Sequence, residues 1–178
     1  MTLIELLQGI SYTTPSDQAL LEQLEITKIT EDSRAVTAGT LFVALRGTQA
    51  DGHRFIPSAI EAGSRAIVLE TLPEEPQEGV AYIVVPSSSE VLGLLSSALH
   101  GHPSRQLTVV GVTGTNGKTT IATLLFRLFR ALGYRCGLLS TVCNYIEDEA
   151  ISATHTTPSA PELQALLGRM RDAGCTHV

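Results

Sequence analysis

The stretch Gly111-Val-Thr-Gly-Thr-Asn-Gly-Lys-Thr-Thr120 decides how the chain is read. It follows Leu107-Thr-Val-Val110, an apolar run with the length and β-branched content of a strand. It precedes Ile121, Leu124, Leu125, Leu128, Phe129 and Leu132, whose spacing draws one apolar stripe along a helix that Gly133 closes. Strand, glycine-rich turn and helix in that order are the setting of a phosphate-binding loop. Gly114 and Gly117 let the backbone turn so that successive N–H groups face an anion, and the helix N-terminus adds its positive end. Lys118 is placed to reach the β- and γ-phosphates of a nucleotide, and the Thr119 hydroxyl to enter the shell of a Mg²⁺ ion. The expected phosphate-binding residues are therefore Gly114, Thr115, Asn116, Gly117, Lys118, Thr119 and Thr120, with Lys118 catalytic and Thr119 on the metal. The common GxxxxGK[ST] spacing would need glycine where the chain has Val112, which argues against a generic P-loop kinase or GTPase.

With 178 residues, 43% of them hydrophobic, the chain is long enough to bury a core in one or two domains. A net charge of −6 argues against nucleic-acid binding, which rests on clustered Lys and Arg. An anionic substrate remains compatible, because one lysine and a helix N-terminus supply a local positive field. Met1-Thr-Leu-Ile-Glu-Leu-Leu7 has no basic start or long apolar run, and no stretch approaches a membrane span, so a cytoplasmic location is expected. Cys136, Cys143 and Cys175 show no CxxC pairing and read as reduced structural thiols.

Working outward, Thr2-Leu-Ile-Glu5 has capping-box spacing for a short helix through Leu7. Leu41 to Leu45, Ala66 to Leu69 and Tyr82 to Val85 read as strands. Phe55 to Ala62 and Val91 to Leu99 read as helices, the second behind a capping box at Ser87-Ser-Ser-Glu90. Alternating strands and helices predict an α/β fold with an at least partly parallel sheet. The pattern breaks at His100-Gly-His-Pro-Ser-Arg105, read as a solvated linker without the partners of a metal site, so domains are expected at 1–105 and 106–178. Cys136 to Ser140 reads as a strand, and Ser159-Ala-Pro-Glu162 as a third capping box, opening a helix up to Gly174. Glu147-Asp-Glu149 reads as a hairpin turn or solvated loop, and Cys175-Thr-His-Val178 as the start of a further strand. The second domain is expected to be incomplete.

The string Gly114 to Thr120 resembles the ATP loop of the Mur ligase family, whose version departs from other P-loops in the same way. Asp32-Ser-Arg34, Gly39-Thr-Leu-Phe-Val-Ala-Leu45 and Gly47-Thr-Gln-Ala-Asp-Gly-His53 resemble the uridine-nucleotide domain of the diamino-acid-adding type in that family. Ser140-Thr-Val-Cys-Asn144 and Thr154-His-Thr-Thr-Pro158 look like the segments that approach the muramyl peptide. The resemblance implies a mixed-sheet uridine-nucleotide-binding domain followed by the start of a P-loop-type parallel α/β domain. It implies that Glu31 and Ser33, with Thr48, Gln49 and Ala50, contact the UDP part of the substrate, and that His155, Thr156 and Thr157 contact its dipeptide. Some family members carry Asn at the place of His155.

By the same resemblance, the chemistry is ATP-dependent amide-bond formation in peptidoglycan precursor synthesis, through an acyl phosphate. The partners would be UDP-N-acetylmuramoyl-L-alanyl-D-glutamate and meso-diaminopimelate, with no nucleic acid or membrane, in a monomer. Three alternatives stand beside it: a lysine-adding ligase of the same type, a folylpolyglutamate synthase-like ligase and a non-catalytic UDP-sugar-binding module. The block Asp32 to His53 speaks against the second, and Lys118 with Thr119 against the third.

Overall fold

Two parallel strands, Ala66–Leu69 (β3) and Ala81–Val84 (β4), carry side chains that are buried on both faces along almost their whole length. Strands apolar on both faces belong in a sheet covered on both sides, and that is what the computed structural model shows. It describes residues 1–47, 51–152 and 158–178. They fall into two compact units, Met1–Leu99 and His100–Val178.

In the first unit Lys28–Thr30 (β1) and Thr40–Val43 (β2) join β3 and β4 in one sheet of order β1-β2-β3-β4, all neighbours parallel. An antiparallel bridge from Thr13 to Val84 on the outer strand makes the sheet mixed. Helix Ile56–Glu61 packs Ile56, Ala59 and Ile60 against Phe42, Ile67, Leu69 and Tyr82 on one face. On the other face helix Leu3–Leu6 (α1) and helix Ser88–Leu99 bury Leu3, Leu6, Leu92 and Leu95. Numbered in chain order with the short helix Gln18–Gln23 as α2, these two are α3 (56–61) and α4 (88–99). The Thr2 to Glu5 capping box is formed in both directions. The buried Tyr82 hydroxyl is satisfied by accepting the Gln77 N–H at 3.1 Å.

In the second unit, helix Lys118–Ala131 (α5) follows the glycine-rich turn and helix Ala160–Asp172 (α6) follows the Ser159 capping box, again reciprocal. Residues 108–110, 176–178 and 135–137 run side by side in parallel. Thr108 N donates to Thr176 O, Val110 N to Val178 O and Gly137 N to His177 O. The run 107–110 thus takes part in pairing without being a full strand. Gly137–Leu138 (β5) continues into an antiparallel sheet with Cys143–Ile146 (β6) and Glu149–Ser152 (β7).

Glu147 turns the β6–β7 hairpin in the left-handed region, at φ 55°. Its carboxylate is anchored by the Cys136 N–H at 2.5 Å, while Asp148 pairs with Arg130 at 2.7 Å. This acidic cluster is therefore a pinned hairpin turn. Leu107, Ile146, Leu167, Met170 and Cys175 make the core of the unit.

Two expectations differ from the structure. The segment 100–105 is no solvated linker. Arg171 Nη1 donates to His100 O at 2.6 Å, the 3-10 turn Pro103–Arg105 packs on α6, and burial, then the Arg171 charge, hold the His100 imidazole below its usual pKa. Among the described residues the apolar stripe of α5 is covered in part: Phe129 stacks on His177 at 4.9 Å, while Ile121, Leu124, Leu128 and Leu132 are 48 to 64% exposed.

Cys136, Cys143 and Cys175 are free thiols. Burial, then the Glu147 charge, raises the pKa of Cys136 and Cys175. A raised folded pKa favours the neutral thiol. The associated stability is complete below the unfolded thiol pKa of about 8.5 and is lost as pH climbs through the folded value. Iodoacetamide at about pH 8 should therefore modify these two slowly in the native chain and rapidly after unfolding, read by mass spectrometry. Equal rates in both states would contradict their burial. Among the described residues no helix is long and apolar enough to cross a membrane.

Candidate functional site

The glycine-rich turn before α5, the expected phosphate site, owes its shape to two glycines. Gly114 has φ 146° and Gly117 φ 78°, where a Cβ would strain the backbone. Gly117 is also the N-cap of α5, and no side chain caps it among the described residues. The first N–H groups of a helix lack partners within it, so this end is left with donors for an anion. Lys118 curls back over the turn, its Nζ donating to Gly114 O at 2.5 Å and to Thr115 O at 3.3 Å. The ammonium is exposed and held at the mouth of the loop by carbonyls that a phosphate would outcompete.

Beside the loop, an open cleft of about 660 Å³ is lined by Lys118, Thr119, Ser140, Thr141 and Asn144 at its polar end and by Phe126, Phe129 and Leu166 elsewhere. The turn 140–144 that forms one wall is internally bonded. Ser140 Oγ donates to Cys143 O at 2.6 Å and accepts the Cys143 N–H at 3.2 Å. Ser140 N donates to Asn144 Oδ1 at 3.1 Å. Asn144 is buried, so its side chain shapes the turn. Thr141 Oγ1 lies 3.4 Å from Thr119 Oγ1. Sequence reasoning did not single out that pair: the two threonines are far apart in the chain, and no local pattern reports a contact between loops.

These groups fit a nucleotide polyphosphate: uncapped helical N–H donors, one mobile ammonium and two hydroxyls. Among the described residues no cluster of His, Cys, Asp or Glu could hold a metal alone. A Mg²⁺ ion would rely on the Thr119 hydroxyl together with phosphate oxygens and water, the set this ion accepts.

In the first unit two of the expected UDP contacts, Glu31 and Ser33, follow β1 at one edge of the sheet. β1 and β2 are parallel neighbours, so the chain leaves their C-terminal ends, at Glu31 and at Ala44, side by side. Ligands of parallel α/β sheets bind at that edge. Glu31 precedes, and Ser33 opens, the 3-10 turn Ser33–Ala35. Asp32 fixes this turn by accepting from Arg34 N at 3.0 Å and from its guanidinium at 2.9 and 2.8 Å. The side-chain bond to Arg34 holds the Asp32 carboxyl below its usual pKa.

The next segment is closed at its base. Gly52 N donates to Leu45 O at 2.7 Å, and Arg46 bridges to Asp51. Asp51 Oδ1 accepts the His53 N–H at 3.0 Å and lies 2.6 Å from His53 Nδ1. His53 Nε2 accepts the Glu70 N–H at 2.9 Å, so the ring proton sits on Nδ1. Thr48, Gln49 and Ala50, and likewise His155, Thr156 and Thr157, lie outside the described residues.

Comparison with known proteins places both units. The family model described as "Mur ligase family, catalytic domain" matches residues 25–100, and "Mur ligase middle domain" matches residues 112–178. The chain is 51% identical over its full length to "UDP-N-acetylmuramoyl-L-alanyl-D-glutamate--2,6-diaminopimelate ligase" of Bacteroides thetaiotaomicron, covering 36% of that protein. It is 55% identical to the ligase of the same name from Bacteroides fragilis over 88% of the chain and 32% of the relative. A solved structure of a ligase with this name superposes with a TM-score of 0.77 at 25% identity, over 99% of the chain and 34% of the solved one. The chain thus spans about a third of the length of the relatives it matches.

Proposed function

Since the chain belongs to the Mur ligase family, we propose that it forms the substrate-nucleotide and ATP-binding part of an ATP-dependent ligase of peptidoglycan precursor synthesis. The reaction is the joining of meso-diaminopimelate to UDP-N-acetylmuramoyl-L-alanyl-D-glutamate through an amide bond. The observation that carries this reading is the glycine-capped start of α5 with Lys118 lying over it, in a chain whose first unit is also of the family's fold. A module that only held a UDP-sugar would have no use for that lysine and loop.

Each unit has its task. At the first, Glu31, Ser33, Thr48, Gln49 and Ala50 hold the uridine diphosphate, with hydroxyl, amide and backbone groups suited to uracil edges and diphosphate oxygens. At the second, the N–H groups of Gly114 to Thr120 would hold the ATP phosphates, Lys118 would neutralise the β- and γ-phosphates, and the Thr119 hydroxyl would serve Mg²⁺. Bound MgATP supplies the phosphoryl group that activates the substrate carboxylate. His155, Thr156 and Thr157 orient the dipeptide that carries this carboxylate. The work of these residues is positioning and charge neutralisation, so no acid-base pair among Glu147, Asp148 and Glu149 is needed.

The names of the similar relatives favour diaminopimelate over lysine as the incoming amine. The test is product analysis by mass spectrometry with the full-length protein that carries this segment, given ATP, Mg²⁺ and either UDP-N-acetylmuramoyl-L-alanyl-D-glutamate with diaminopimelate or lysine, or a reduced folate with glutamate. Diaminopimelate should be incorporated and lysine poorly. A glutamylated folate, with no muramyl tripeptide, would overturn the reading.

A further inference from the structure

On the wall of the cleft, the Thr141 hydroxyl lies beside that of Thr119, the residue assigned to the metal. Its turn is built to keep it there. Ser140 Oγ ties the backbone on the far side of Thr141 through Cys143 O and the N–H groups of Val142 and Cys143, at 2.6, 3.4 and 3.2 Å. The buried Asn144 takes the Ser140 N–H on the near side. With the backbone held at both flanks, the turn presents the exposed Thr141 side chain with its Oγ1 3.4 Å from Thr119 Oγ1.

A hydroxyl that gives its lone pair to a divalent cation becomes a stronger hydrogen-bond donor, because the cation draws electron density from the oxygen. It then needs an acceptor on its other side. We propose that Thr141 is a positioning residue for the metal end of the phosphate site: its Oγ1 accepts the Thr119 proton and turns the Thr119 lone pair toward Mg²⁺. The separation of 3.4 Å is longer than the roughly 2.5–3.0 Å of a well-formed O–H···O bond, so the proposal requires the two hydroxyls to draw together when the cation fixes the donor. The proposal rests on the ATP-binding reading of the loop and names a residue that this reading leaves without a role.

The experiment measures ATP affinity of the full chain by calorimetry in excess EDTA and across a Mg²⁺ titration. The proteins are the wild type, Thr141→Val, Thr141→Ser, Thr119→Val and the Thr119→Val/Thr141→Val pair. Valine keeps the shape of Thr141 without its oxygen. Loss of one such hydrogen bond should weaken binding in Mg²⁺ about fivefold and leave affinity in EDTA within about twofold. Thr141→Ser should restore the wild-type Mg²⁺ dependence. The double variant should be no weaker than Thr119→Val, since Thr141 acts through Thr119.

An equal loss in EDTA and in Mg²⁺, an unchanged Thr141→Val, or additive losses in the double variant would each overturn the proposal. If Thr141→Val does not fold by circular dichroism, Thr141→Ala takes its place in the cycle. A folded wild-type chain that binds no ATP under either condition would refute the ATP-site reading itself, and this result is distinct from the other three.

Discussion

Replacing Lys118 with Ala should lower ATP affinity at least about tenfold, while leaving the fold intact. A charge-assisted hydrogen bond to a phosphate contributes about 1.5 to 3 kcal/mol, and each 1.4 kcal/mol is about tenfold in binding. If Lys118 reaches both the β- and γ-phosphates, losing the two contacts takes the effect well beyond tenfold. The fold should be spared because the ammonium is exposed and, among the described residues, donates to the local carbonyls of Gly114 and Thr115. No buried charge is stranded by its removal. Calorimetric titration with ATP and Mg²⁺, paired with a thermal melt, separates the two effects. A Lys118→Ala chain that binds ATP as the wild type does would show that the loop is not a phosphate site.

Gly52→Ala should be the most damaging single methyl in the first unit. A Cβ there would lie 2.7 Å from both Leu45 N and Leu45 O and 3.3 Å from Ala44 C. These are backbone atoms of the segment leaving β2, which cannot rotate aside as a side chain does. The strain should cost about 1 to 3 kcal/mol or more and break the Gly52 N to Leu45 O bond that closes the 46–51 segment. Urea unfolding should show a lower midpoint at similar slope. Uridine-nucleotide binding should weaken with it, because Thr48, Gln49 and Ala50 belong to that segment.

Gly93→Ala is the matched control. Gly93 lies inside α4, a Cβ there meets no described atom within 4 Å, and alanine should stabilise the helix by about 0.5 to 1 kcal/mol. A destabilised Gly93→Ala, or a Gly52→Ala as stable as the wild type, would contradict the packing described.

The features legible in the sequence are those whose cause is local. The Thr2, Ser87 and Ser159 caps announce α1, α4 and α6 because each cap bonds a backbone N–H three residues on. Ala66–Leu69 announces β3 because four apolar residues with β-branched Ile67 and Val68, closed in by polar residues, are long enough for a buried strand and too short for a helix. Gly114 and Gly117 announce the turn that opens α5 because the positive φ that needs them is contained within it.

What the sequence hides is set by distant partners. Helix α2 has no side-chain cap at Asp17 and buries only Leu21. The three residues of β1 are a strand only because β2 lies beside them. The run 107–110 finds its partners at 176–178, far along the chain. Likewise Glu31 and Ser33 share an edge with the segment after β2 only through the parallel pairing of Thr30 with Phe42. The contact between Thr119 and Thr141 depends on a turn whose shape is fixed by Ser140 and Asn144.

The central claim is that the glycine-rich turn before α5 receives the phosphates of ATP, and amide chemical shifts test it most directly. On addition of ATP with Mg²⁺ to the ¹⁵N-labelled chain, the N–H resonances of Gly114, Thr115, Asn116, Gly117, Lys118, Thr119 and Thr120 should show the largest shifts. Those of Gly52 and His53 in the first unit should stay near their starting positions. Saturable shifts confined to residues away from 114–120, or no shifts in a folded chain at millimolar ATP, would contradict the account.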